Sequence, residues 1–182
     1  METLTVIKCQ REEDKMQTAI IFDMDGTLFQ TNLILEPALE QTFDFLRQNG
    51  HWSGATPIEQ YRQIMGVPLN VVWETLCPDL TDEIREQSNE HFQLMLIDQI
   101  QRGNGALYPD VLPTLQKLSE HYPVYIASNG QTAYLQAIAA YYSLGRWIKA
   151  VYSIDCIDTN NKSHLVQHIM KEHQINNGYV VG

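Results

Sequence analysis

The sequence predicts an α/β fold, a parallel sheet core with a block of helices inserted after its first strand. Three observations lead there. A short apolar run, Thr18 to Phe22, feeds directly into Asp-Met-Asp-Gly-Thr. From about Leu35 to Ile100 the apolar residues then recur at helical spacing. After Gly103-Asn104-Gly105 short apolar runs alternate with helix-length segments, the pattern of crossover units in a parallel, Rossmann-like sheet.

Taken in order, residues 1–17 form a polar extension with one apolar stretch, Leu4 to Ile7, and Met16 stands as an alternative start. TAIIF, at 18–22, is short and apolar enough for a buried strand. In the helical block, Pro37 suits a first turn, Leu35, Leu39, Phe43 and Leu46 share a stripe, and Asn49-Gly50 is a stop. Thr56-Pro57-Ile58-Glu59 has the form of a capping box leading to Tyr61 and Met65. Gly66-Val67-Pro68 breaks that helix, another runs from about Leu69 to Cys77, and Thr81-Asp82-Glu83 starts a long one carrying Ile84, Phe92, Met95, Leu96 and Ile100. These stripes read first as core packing. Three helix–strand pairs follow: Val111 to Glu120 before Pro123 to Ala127, Thr132 to Tyr142 before Ile148 to Tyr152, and Ser163 to His173 before Tyr179 to Val181.

The chain has 182 residues, enough for one good core and a small inserted domain. A net charge of −10 without a Lys/Arg cluster argues against nucleic acid or an acidic membrane as partner. A small anionic substrate stays open, because a metal ion can supply positive charge. Cys9, Cys77 and Cys156 are odd in number and far apart, unlike a disulfide framework or a zinc knuckle. With no signal peptide and no apolar run of membrane-spanning length, the expected location is cytoplasmic.

In an open parallel sheet, ligands bind at the carboxyl ends of the strands. Asp23, Asp25 and Thr27 follow the first strand, Ser128-Asn129-Gly130 the second, and Lys162 opens the helix after the third. In an extended segment Asp23 and Asp25 point to the same side. Two neighbouring carboxylates repel, and a hard cation such as Mg²⁺ relieves this through oxygen ligands. Phosphoryl transfer needs positioning and neutralisation of charge, which a metal, a lysine and hydroxyl or amide donors provide. Gly26 lets the chain turn beside the ligand. A calcium loop starting at Asp23 would place Gly at position 28 and Glu at 34, where Leu28 and Ile34 stand. Ala127-Ser128-Asn129-Gly130 lacks the frame of a hydrolase nucleophile elbow. His164 and His168 lack the residues that complete a zinc helix, and Gly103-x-Gly105 lacks the third glycine of a dinucleotide loop.

Ile20 to Leu28 (IIFDMDGTL) resembles the first motif of haloacid dehalogenase superfamily phosphatases. Tyr125 to Gly130 resembles the second, Lys162 stands where the third motif's lysine is expected, and Gly178 to Gly182 resembles the strand leading into the fourth, acidic motif. The resemblance covers about Thr18 to Gly182. It implies that Asp23 is the nucleophile and a Mg²⁺ ligand. Asp25 would be the acid/base and offer its backbone carbonyl to the metal, while Ser128 and Lys162 hold phosphate oxygens. Thr27, Asn129 and Gly130 would complete the phosphate site. Asp at position 25 favours phosphate-ester chemistry over carbon–halogen cleavage, because an alkoxide leaving group needs an acid. The helical block resembles the cap of the phosphoglycolate phosphatase-like and β-phosphoglucomutase-like branch, giving a cap at 33–104 and a core at 18–32 and 105–182. Leu107-Tyr108-Pro109 resembles the returning hinge, with Asp110 where glycine is more usual. Gly66 and Arg62 are the expected cap contacts to substrate.

The family supplies a third metal-binding carboxylate just after the strand that here ends at Gly182, and this sequence stops before it. The implied function is a phosphatase acting on a small phosphorylated metabolite. A phosphosugar mutase and a catalytically impaired phospho-ligand-binding protein are the alternatives. Without a further strand, the edge at Tyr179 to Val181 invites self-association.

Overall fold

Four parallel strands in the order β3-β2-β1-β4 form one sheet: β1 (Thr18–Phe22), β2 (Val124–Ser128), β3 (Ile148–Ser153) and β4 (Asn177–Val181). The computed structural model describes residues 17–64, 69–158 and 161–182, with the backbone alone at 69 and 70. Side-chain alternation along β1 and β2 makes two cores. Ile20, Phe22, Val124 and Ile126 face the larger one, which they share with α5 (Val111–Ser119), α6 (Thr132–Tyr141) and the helical block. Ala19, Ile21, Tyr125 and Ala127 face the other, closed by Leu165 and Ile169 of α7 (Lys162–Glu172). The register Phe22↔Ile126 and Phe22↔Val181 brings the carboxyl ends of β1, β2 and β4 level, so their following loops meet.

Between β1 and α5 stand α1 (Asn32–Gln48), α2 (Ile58–Gln63), α3 (Leu69–Leu76) and α4 (Asp82–Gln101). An aromatic cluster binds them, with Phe43 on Trp52 at 4.9 Å and Trp73 on Phe92 at 5.8 Å between ring centres. Thr81 caps α4, accepting from the Ile84 N–H. The chain leaves and re-enters the core through paired segments. Phe29 and Leu107 form an antiparallel bridge, with hydrogen bonds from Gln30 N to Ala106 O (2.8 Å) and Tyr108 N to Leu28 O (3.0 Å). Gly105 is needed there because a Cβ would stand 2.4 Å from the Phe29 ring. Asp110 adopts φ +62°, which explains why glycine suits that position.

Two local expectations give way to tertiary context. Pro37 lies inside α1, not in its first turn. Fully buried Ile34 draws the preceding turn into the helix, and the carbonyl that proline leaves without a donor belongs to exposed Leu33. The Thr56–Glu59 capping box does not form, and Pro57 is the N-cap of α2 with no side-chain bond. Arg47 takes the Thr56 hydroxyl at 3.3 Å and Arg62 takes Glu59, so both capping groups are occupied. Met65 and the Gly66-Val67-Pro68 break lie outside the described residues. Cys77 is buried and free, and Cys156 is exposed and free. Among the described residues no helix is long and apolar enough to cross a membrane.

Candidate active site

The turn after β1 is built so that two carboxyls meet at the sheet's end. Gly26 takes φ +74°, a conformation other residues resist, and the chain folds back so that Gly26 N bonds Phe29 O at 2.9 Å. Asp23 Oδ1 accepts the Met24 N–H at 2.8 Å and pairs with Lys162 Nζ at 2.7 Å. Both side chains are partly exposed, at 20% and 33%, so the ammonium and the carboxylate are open to a ligand at the strand end. Lys162 is the first residue of α7, whose N-terminus Asn161 caps by accepting the Ser163 N–H at 2.9 Å.

Asp25 sits among hydroxyls. Its Oδ1 accepts from Thr31 and from Tyr134, each at 2.6 Å, and its Oδ2 accepts from Ser128 at 3.2 Å. Thr31 is the N-cap residue of α1, yet its side chain makes no cap bond, because Asp25 has taken it. Tyr134 comes from α6 and is 4% exposed; burial and the charge of Asp25 push its pKa far up, so it remains a donor. Tyr61 of α2 faces the same carboxylate, and burial followed by that charge raises it to about 12.

Ser128 also accepts the Gly130 N–H at 3.0 Å, and Ser153 donates to the Gly130 carbonyl at 2.7 Å, which rigidifies the β2–α6 turn. Asp155, which follows β3, accepts from Thr132 N at 3.1 Å at the start of α6. It serves that helix end rather than the Asp23 site.

A cavity of about 320 Å³ opens over these groups. Asp23, Asp25, Thr31, Ser128, Asn129 and Gly130 contribute its polar floor. Leu35, Tyr61, Val72, Phe92 and Leu96 contribute the opposite wall. Of the residues singled out from sequence, Thr27, Arg62 and Lys162 do not line it, although Lys162 pairs with Asp23, which does. Thr27 lies in the turn beside Gly182, while Arg62 is held by Glu36 at 2.6 Å and by Glu59 at 2.5 Å. Gly66 lies outside the described residues. Sequence reading missed Thr31, Tyr61 and Tyr134; the only local sign was Tyr61 on the apolar face of a short helix.

The donor set suits a hard cation. Asp23 presents a partly exposed carboxylate, and Asp25, whose carboxyl is taken by three hydroxyls, would offer its backbone carbonyl. Mg²⁺ keeps several waters when few protein ligands are offered. Among the described residues no group of three or more His, Cys, Asp or Glu side chains is placed to hold a metal.

The family model of haloacid dehalogenase-like hydrolases matches residues 17–181. No curated protein matches the sequence. Several solved structures share the fold. A predicted phosphoglycolate phosphatase of Haemophilus somnus is 16% identical, with a TM-score of 0.74 over 93% of this chain and 78% of that one. CbbY of Rhodobacter sphaeroides, solved with phosphate, is 15% identical, with a TM-score of 0.73 over 89% of this chain and 76% of that one. A haloacid dehalogenase-like hydrolase of Streptococcus pneumoniae is 21% identical, with a TM-score of 0.68 over 92% of this chain and 76% of that one. With the sheet order, the inserted helices and a family match spanning nearly the whole described chain, this protein belongs to the haloacid dehalogenase-like hydrolases.

Proposed function

We propose that this chain carries the catalytic site of a cytoplasmic, Mg²⁺-dependent phosphatase acting on a small phosphorylated metabolite, with residues 33–104 as a substrate-selecting cap. The observation that carries this reading is the Lys162–Asp23 pair at 2.7 Å, with Asp23 and Asp25 both lining the cavity. A carboxylate kept accessible next to an ammonium is placed to attack a phosphorus atom whose oxygens the ammonium neutralises.

In this reading Asp23 attacks phosphorus, forming a carboxylate O–P bond as the ester P–O bond breaks, and Asp25 gives its proton to the departing alkoxide. Asp25 then takes a proton from water, whose oxygen attacks the same phosphorus and releases phosphate from Asp23. Thr31 and Tyr134 hold the Asp25 carboxyl by Oδ1 and direct Oδ2 toward Ser128 and the cavity. Asp23 and Asp25 would hold Mg²⁺, which when bound supplies further positive charge to the phosphate oxygens. Ser128, Asn129, Gly130 and Lys162 would hold the phosphate.

The test is phosphate release from a panel of phosphate monoesters with and without Mg²⁺. Metal-dependent release supports the reading. Interconversion of sugar phosphates without net release would assign a mutase, and binding without turnover a phospho-ligand-binding protein.

A further inference from the structure

Resting on the phosphatase reading, we infer that the substrate's organic part is apolar: a small alkyl or aryl phosphate monoester rather than a sugar phosphate or a phosphocarboxylate. The cavity is divided by chemistry. Its polar groups lie almost entirely on the side of the strand ends, where the phosphate would sit over Asp23. The opposite wall is Leu35 from α1, Val72 from α3, and Phe92 and Leu96 from α4, with Tyr61 between them and the Gln93 amide added. Phe92 and Val72 are 1% and 3% exposed, so this wall belongs to the core of the helical block and cannot rotate polar atoms inward.

Among the described residues, no Lys, Arg or His lines the cavity. Arg62, one residue from Tyr61, is neutralised by two glutamates, and His91, one residue from Phe92, stacks on Phe45 at 4.5 Å instead. Lys162, paired with Asp23 at 2.7 Å, stands at the phosphate end, so a second anionic group against the apolar wall would be desolvated with no counter-charge from the described lining residues. A sugar's hydroxyls would exchange water for an apolar wall offering one amide and one phenol. A hydrocarbon chain loses nothing there and gains the transfer free energy of burial. The cavity's volume, near the small end for ligand pockets, limits the chain to a few carbons or one ring.

The experiment measures kcat/KM with Mg²⁺ for methyl, propyl, pentyl and phenyl phosphate beside glucose 6-phosphate and phosphoglycolate. Burial of each methylene predicts a rise of about fourfold along the alkyl series until the wall is filled. The pentyl and phenyl esters should exceed both polar esters by at least about tenfold. A flat or falling alkyl series, or a tenfold preference for either polar ester, overturns the proposal while leaving the phosphatase reading intact. If no ester is hydrolysed, the phosphatase reading fails, and calorimetric binding of pentylphosphonate against phosphonoacetate decides the selectivity alone. Preferred binding of the alkyl ligand supports it; equal, reversed or absent binding overturns it. Leu35→Asn, at a partly exposed lining position, should flatten the alkyl series without raising the polar esters to the same level. Val72→Thr, nearly the same size, should weaken it in the same direction.

Discussion

The floor and the wall of the cavity are held together by different forces. On the floor, polar side chains fix one another across long stretches of chain: Asp25 is joined to Ser128 and Tyr134 over 103 and 109 residues of sequence. The wall is packed hydrocarbon and aromatic rings from four helices, joined to the core through the Phe29–Leu107 bridge and its neighbouring hydrogen bonds. The difference separates tasks. Directional bonds position reacting atoms, which short-range displacement would ruin. Non-directional packing sets shape and polarity, and it tolerates exchange of one apolar residue for another. Under the proposed function, chemistry falls to the floor and choice of substrate to the wall.

The comparison is broken most severely at Asp23. Asp23→Asn should lower turnover by at least about 10⁴-fold with every ester, as loss of a nucleophile does. A variant keeping a tenth of the rate would remove Asp23 from that role. Asp25→Asn should cost about 10²–10⁴-fold, the usual size of a general acid–base contribution. Single-turnover kinetics should show both ester cleavage and phosphoenzyme hydrolysis slowed, and an unchanged rate at every pH would exclude the assignment.

Tyr134→Phe sharpens the comparison, since it removes one donor from Asp25 while preserving the ring that fills the core. A hydrogen bond to a charged group corresponds to about 1.5–3 kcal/mol, so kcat should fall by about ten- to a hundredfold with little change in KM. A change confined to KM would place Tyr134 in substrate binding instead.

Alkaline pH tests both surfaces at once. Tyr61 is raised to about 12 by burial and by Asp25, and Tyr134 is raised further. Between the ordinary tyrosine value near 10 and these raised values, the folded state holds more protons than the unfolded chain. Unfolding free energy from urea titrations should accordingly fall as pH rises from 10 to 12. In Tyr61→Phe and Tyr134→Phe the fall should be shallower.

The smallest effect belongs far from the cavity. Gly50 ends α1 with φ +73°, and His51 N bonds Leu46 O at 2.9 Å in a left-handed helix stop. A Cβ there meets no atom within 4 Å, so Gly50→Ala should cost only backbone strain, about 1 kcal/mol in denaturant unfolding. Its kinetic constants should stay unchanged. A loss of activity would mean that the end of α1 is coupled to the floor.

What the sequence determined by itself was local in origin. The apolar runs at β1 and β2, the glycine after Asp25, the helix stop at Asn49-Gly50 and the cap at Thr81 all act within a few residues, so periodicity and turn chemistry revealed them. The two aspartates were legible for the same reason, because alternate residues of an extended segment share a side. Lys162, Asn129 and Gly130 could be named because parallel strands bring their carboxyl ends to one edge. Only the tertiary structure decided the rest. Thr31 and Tyr134 carry no sign of the site in the sequence, yet both turn to Asp25, where a hydroxyl and a carboxylate satisfy each other. Pro37 and Thr56 carried strong local signals that were overruled, the first by the burial of Ile34 and the second by the guanidinium of Arg47. Local rules bind a residue by a fraction of a kilocalorie to a few, and a contact between distant segments can outweigh them once the sheet has brought those segments together.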